Sequence, residues 1–503
     1  MELTSFRFLC FFALLLFLWY FLPVLTGGRG QRMVLLAASL LYYLFAGNGL
    51  LILFPLTSAL ATFWCVRGIT KTEKTDTRRR RGFLIFLMVV LLGSLVAFKV
   101  MGYFGIRPGG YGAPLGLSFY TFILLGYFLD VYNGIDEGGV DLAGTVLGGM
   151  YFPLMTSGPI VRFKDFAGQF SLRHRLQYDA LVFGLQRMLW GFFKQLVISQ
   201  RLGKIVDTVY AAGSGYTGWY IWLGTVCFAF QLYTNFSGCM DIVLGLSEAL
   251  GLSLPENFRL PFLSRTISEY WRRWHITLGT WMRDMVFYPL LRSRFFMEQG
   301  KRLTARFGKK TGKKLNTWGA MFVLWLSVGF WHGGALKYVI GSGLLHWLYI
   351  VVGEATQPFF TKLLSERLHL DPKSRFLDAL RVIRTFFLVC VGFVFFRADS
   401  TGHACLLLFR ALPWKTAVPP DGGLFAMGLG WIEWGVLLIS LVILIAVELI
   451  NEKHSDGGGI RNRIAAMPIA IRWLLWFALL FYVVLLGEYG PGYSAAEFIY
   501  RGF

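Results

Sequence analysis

VGFWHGGALKYVIGSGLLHW, residues 328–347, places His332 and His346 inside an otherwise apolar run. A run of this length and hydropathy reads as a membrane-spanning segment. An ionisable group within such a segment is costly unless it faces a cavity, finds a partner or stays neutral. His332 stands between Trp331 and the pair Gly333–Gly334, and His346 follows 14 positions later. On an unbroken helix that spacing is about 21 Å of rise, so the two rings would not share one reacting point. The glycine pair can bend the chain, which makes His332 the centre of interest and His346 a supporting or cavity residue.

The stretch is one of many. Apolar runs lie at 6–25, 33–66 (long enough for two), 83–104, 115–132, 181–199, 217–234, 317–331, 335–352, 379–397, 431–449 and 469–487. At the usual length of about 20 residues per crossing they predict roughly 10–12 spans. The 503 residues are 56% hydrophobic and only 15% charged, with a mean hydropathy of +0.57, far from a soluble composition. The expectation is an all-α polytopic membrane protein forming a single domain over 1–503. The first run lacks a small-residue cleavage site and reads as a retained helix.

The net charge of +21 does not call for nucleic acid. The basic residues gather in segments between spans, including 71–82 (KTEKTDTRRRRG) and 292–314, both read as loops. Positive loops near span ends stay cytoplasmic and are drawn to anionic lipid headgroups. Cys10, Cys65, Cys227, Cys239, Cys390 and Cys405 lie in or beside apolar runs without metal-type or disulfide-type spacing. No G-x-S-x-G, Walker A, H-E-x-x-H or paired C-x-x-C occurs, so a soluble-type serine hydrolase, NTPase or zinc site is not supported.

Two regions break the pattern of plain spans. Residues 108–170 are rich in glycine and proline. Residues 235–291 mix tryptophan with arginine and read as re-entrant or interfacial, since irregular backbone at membrane depth is tolerated only inside protein or along a water-filled cavity. Within the second, 266–285 has helical spacing. Trp271, Trp274, His275 and Leu278 share one stripe, with Arg272, Arg273, Arg283 and Asp284 elsewhere. A neutral imidazole suits proton transfer near neutrality, so His332 fits a general base, with a hydrogen-bonded packing histidine as the alternative. His275 fits either packing or chemistry. Arg272 and Arg273 fit donor phosphates or interface anchoring equally.

Several stretches occur in order: PLGLSFYTFILLGYFLDVYNG (114–134), YFPLMTSGPIVRFKDF (151–166), the long segment 230–290, GFWHGGALKYVIGSGLLHW (329–347) and GFVFFRADS (392–400). Together they resemble the membrane-bound O-acyltransferase family, MBOAT. The closer likeness is to a bacterial branch of alginate and peptidoglycan O-acetyltransferases and the teichoic-acid D-alanylation membrane protein. The resemblance implies helices around a central tunnel or funnel in the bacterial inner membrane, with the family's histidine, here His332, at the narrow middle. The family's polar position in a WRRWH-like stretch maps to His275. Trp271, Arg272, Arg273 and Trp331 become the substrate contacts. After position 290 the sequence LLRSRFFMEQGKRL departs from the alginate-type pattern, where a glycine-asparagine motif is usual.

The tail 488–503 resembles the branch's aromatic C-terminal motif through Phe498, Tyr500 and Phe503, although Arg501 and Gly502 depart from it. The resemblance implies Tyr500 as an acyl relay, with plain docking of the tail as the alternative. It also implies a thioester donor, acetyl-CoA or an acyl carrier protein, with no metal. The expected partners are membrane lipid, a cytoplasmic carrier protein and an extracytoplasmic second transferase, SGNH-hydrolase-like or D-alanyl-transferase-like. The expected reaction is O-acylation of an envelope polymer, with acetyl preferred and D-alanyl open. A transporter or flippase is the rival class. It predicts inverted repeats, and none is visible in the sequence.

Overall fold

The computed structural model describes residues 2–22, 28–106, 112–211, 213–371, 373–417, 423–453 and 459–489. Phe498, Tyr500 and Phe503 lie outside the described residues. Over its described residues, every apolar run predicted from the sequence coincides largely with helix, and 33–66 resolves into Gly28–Tyr43 and Leu53–Thr70. Among the described residues there is no strand, only an isolated antiparallel bridge between Phe258 and Trp274. Lipid explains the uniformity, because a helix satisfies its own backbone hydrogen bonds within one segment.

Six helical stretches are long and apolar enough to cross a membrane: Gly49–Thr70, Thr77–Tyr103, Leu336–Arg367, Arg375–Arg397, Trp431–Lys453 and Ile469–Leu486. Three shorter apolar helices, Phe6–Phe21, Gly30–Ala46 and Leu117–Tyr132, add to them. Large apolar side chains are well exposed along these helices, Leu485 at 75% and Val442 at 67% among them, as a lipid-facing surface requires.

The chain divides into two compact units. The first comprises Met1–Val197, Thr234–Glu256 and Ile464–Phe503. Its core is aromatic, with Phe8, Trp19, Tyr42, Tyr43, Tyr120, Phe128, Tyr151 and Phe152 fully buried. Trp19 Nε1–H donates to the Leu250 carbonyl at 3.0 Å and Tyr151 Oη meets Ser247 Oγ at 3.0 Å, so the indole and phenol keep hydrogen bonds inside. Asp241 accepts from Arg187 Nε at 3.1 Å and Lys194 Nζ at 3.0 Å, while Arg187 also holds Glu256 at 2.6 Å.

The second unit comprises Ile198–Tyr233 and Asn257–Arg463 and contains His275, His332 and His346, the buried histidines among the described residues. Two readings are corrected within it. The basic segment 292–314 is not a loop. From Arg294 onward it belongs to the helix Arg294–Trp331, interrupted at Gly308, whose φ of 79° and ψ of 162° are not helical. A Cβ on Gly312 would meet Thr304 Cα at 2.5 Å, and one on Gly300 would meet the Asn316 side chain at 3.0 Å. The two limbs therefore run antiparallel about Gly308, and the charge sits on a helical hairpin.

The second correction concerns 266–285. Its helical spacing is realised as two short helices, Ile267–Arg273 and Ile276–Met282, with His275 between them at φ 46°. Of the expected stripe, Trp274 and His275 in the link and Leu278 on the second helix are all buried, whereas Trp271 is half-buried.

Candidate active site

His332 follows the last residue of the helix Arg294–Trp331. Its backbone N–H still bonds to the Val328 carbonyl at 3.1 Å, and the N–H groups of Gly333 and Gly334 both return to Phe330 at 3.1 and 3.0 Å. Gly334 adopts φ 65°, the left-handed conformation that closes a helix C-terminus and that an L side chain resists. The glycine pair thus ends the helix and turns the chain beside the imidazole. His332 is 3% exposed. Its ring meets Trp331 edge-to-face at 4.9 Å and Phe396 edge-to-face at 5.6 Å, and Tyr338 backs Phe396 at 5.2 Å.

His275 is fully buried. Its ring lies 5.8 Å from that of Trp331 at 64°, so one indole borders both His275 and His332. Trp331 is therefore the ring that joins the two histidines. A left-handed L-residue costs roughly 1–2 kcal/mol. The surroundings stabilise it: Ile276 N–H donates to the Asn257 carbonyl at 3.0 Å, and Arg259 N–H donates to the Arg273 carbonyl at 2.9 Å. Asn257 Oδ1 accepts from Thr277 N–H at 3.1 Å, from Thr277 Oγ1 at 2.9 Å and lies 3.3 Å from His275 Nδ1. Outside the candidate spans, burial pulls the His275 pKa down from its ordinary value to about 3, so the ring is neutral.

His346 stands apart from this pair. Trp271 Nε1–H donates to His346 Nδ1 at 3.2 Å, and the Trp325 ring stacks on the imidazole at 5.8 Å. Between His332 and His346 the chain runs through the π-helix Val339–Leu344. A Cβ on Gly341 would come within 2.3 Å of Phe395 Cβ, and one on Gly343 within 2.6 Å of the Trp325 carbonyl oxygen. These two glycines let the widened turn lie directly on its neighbours, and π-turns are frequent at functional sites.

A sequence model of the membrane-bound O-acyltransferase family matches residues 149–305. The chain is 31% identical over 404 residues to the probable alginate O-acetylase AlgI of Pseudomonas aeruginosa, covering 76% of this chain and 71% of that protein. The chain belongs to the membrane-bound O-acyltransferase family. It is thus an O-acyltransferase. It is also 26% identical over 323 residues to the peptidoglycan O-acetyltransferase of Helicobacter pylori, covering 59% of this chain and 56% of that one. With the teichoic acid D-alanyltransferase of Bacillus subtilis it shares 28% identity over 295 residues, 58% of this chain and 70% of that one.

Against this membership the positions of the expected residues can be read one by one. His332, His275 and Trp331 come together in the acyltransferase's second unit. Trp271 is engaged by His346. Arg273 pairs with Glu269 at 3.0 Å and Glu452 at 3.1 Å, whereas Arg272 is exposed. Asn257 and Phe396 were not singled out from the sequence. The only signal for Asn257 was its place in the irregular stretch PENF, which has no apolar period and therefore needs side-chain hydrogen bonds to fix its backbone. Among the described residues no group of three or more His, Cys, Asp or Glu is placed to hold a metal ion.

Proposed function

We propose that this acyltransferase moves an acetyl group from a cytoplasmic thioester, acetyl-CoA or an acyl carrier protein, across the bacterial inner membrane toward an extracytoplasmic polysaccharide of the envelope. His332 is the general base. It takes the proton of an attacking hydroxyl, the oxygen adds to the thioester carbonyl, the C–S bond breaks, and the imidazolium returns the proton to the departing thiolate. The observation that carries the reading is the pair of buried imidazoles, His332 and His275, bordering one indole in the second unit. A packing role alone gives no reason for two ionisable rings buried around one indole.

Acetyl is preferred because the relatives matched over the largest share of the chain are named alginate O-acetylases. The exposed Arg272, next in sequence to the ion-paired Arg273, supports a phosphate-bearing donor at that end of the unit. The attacking hydroxyl is Tyr500 of the tail, which then hands the acyl group to a second, SGNH-hydrolase-like transferase outside the membrane. A phenol, with a pKa near 10, leaves more readily than an alcohol in that second step.

His332→Ala should abolish acylation of envelope polymer while the protein still reaches the membrane, as read by mass spectrometry of polymer and quantitative blotting. Full acylation in that variant removes the general-base role. Tyr500→Phe tests the relay separately: a labelled acyl group should appear on the wild-type tail and vanish in the variant. The adduct mass decides between acetyl and D-alanyl, the second reading that the likeness to the teichoic acid enzyme keeps open.

A further inference from the structure

We infer that Asn257 is a positioning residue that holds the His275 imidazole as its Nδ1–H tautomer, so that His275 serves the site as a proton acceptor through Nε2. The inference rests on the reading of His275 as part of the acyl-transfer site.

The assignment follows from the donors around one oxygen. A backbone N–H can only donate, and Thr277 N–H points at the Asn257 side chain at 3.1 Å, so the atom it meets is Oδ1 and not the amide nitrogen. Thr277 Oγ1 reaches the same atom at 2.9 Å. His275 Nδ1 stands 3.3 Å from this oxygen. A lone pair on Nδ1 would face an oxygen lone pair, so Nδ1 carries the proton. In a neutral imidazole the lone pair is then on Nε2.

The backbone is built to hold this geometry. With His275 at φ 46°, the next two N–H groups both turn to Asn257: Ile276 to its carbonyl oxygen and Thr277 to its side chain. The Phe258–Trp274 bridge locks the two segments side by side. Asn257 is itself 1% exposed, so its amide cannot swing out to water. The choice of an amide over a carboxylate also has a consequence. A carboxylate at this position would favour the imidazolium and charge the ring at rest, whereas the neutral amide orients the ring and leaves it uncharged until a proton arrives at Nε2.

The test uses the full-length protein in nanodiscs with 15N-labelled histidine, the His275 signals being assigned by their loss in His275→Gln. The wild-type spectrum should show a protonated Nδ1 and an unprotonated Nε2. Asn257→Leu should lose that pattern, and acyl transfer should fall on the order of a hundredfold, the scale of a general-base contribution. Asn257→Asp, which keeps an oxygen acceptor but adds a charge, should keep the proton on Nδ1 and add a second at Nε2. Thr277→Val, which removes a different donor from the same oxygen, should keep the wild-type tautomer. A wild-type spectrum with the proton on Nε2 overturns the proposal without need of any variant. So does an Asn257→Leu spectrum unchanged from wild type, or a tautomer that flips in Thr277→Val. Wild-type acyl transfer by His275→Gln, with the Nδ1–H spectrum of the unmutated protein intact, instead overturns the participation of His275 beneath it.

Discussion

Trp271 sits where two roles compete, and its indole N–H decides between them. That N–H donates to His346 Nδ1 at 3.2 Å, and its ring lies edge-on to Trp325 at 4.9 Å. A net hydrogen bond of this kind contributes about 1 kcal/mol. Trp271→Phe should therefore destabilise the detergent-solubilised protein by about 1 kcal/mol, read as a lower thermal midpoint, while leaving most acyl transfer at low temperature. A severe loss of activity at an unchanged midpoint would make Trp271 a substrate contact. His332 raises a different question, since only 3% of it is exposed. Reaction requires both substrates to reach it. A cysteine introduced by His332→Cys, in a variant lacking Cys10 and Cys405, should be labelled by a small thiol reagent. No labelling from either side of the membrane would rule out acyl transfer at this position. His332 was legible in the sequence because an ionisable group in an apolar run is rare. Asn257 was not, because an asparagine in an irregular stretch is ordinary until its partners are known.

At the scale of elements, the helices were legible and their interruptions were not. The hairpin at Gly308 shows why: a basic, charge-rich segment carries no apolar period, and only the close approach of Gly312 to Thr304 reveals two packed limbs. The π-helix Val339–Leu344 is the second case. Its glycines look like flexibility in the sequence but serve contact in the fold. Gly343→Ala would drive a Cβ to 2.6 Å from a backbone oxygen, and should destabilise by about 1–3 kcal/mol, the range for overpacking. Gly353→Ala, on the helix Leu345–Lys362 with nothing within 4 Å of its Cβ, should be neutral or stabilising by up to about 1 kcal/mol. Melting curves of the two variants separate packing from propensity.

For the molecule as a whole, charge sets orientation and buried ion pairs set cohesion. The basic segments 71–82 and 292–314 predict one cytoplasmic side. Cysteines placed by Lys74→Cys and Lys309→Cys, both at exposed positions, should react with an impermeant reagent only once the membrane is opened. Within the first unit, Asp241→Asn leaves Arg187 and Lys194 without their shared carboxylate and should cost about 3–5 kcal/mol, read as lost yield of folded protein.

The sequence by itself determined the membrane class, the position of the long apolar helices and the family, because hydrocarbon forces apolar length into helix and because ordered motifs span most of the chain. Only the tertiary structure decided which polar groups meet. His275 finds Asn257 18 positions away and Trp271 finds His346 75 positions away, through a left-handed residue and a widened helical turn. Local preference opposes both features. Contacts between segments distant in the chain stabilise them, and no local pattern of residues encodes such contacts.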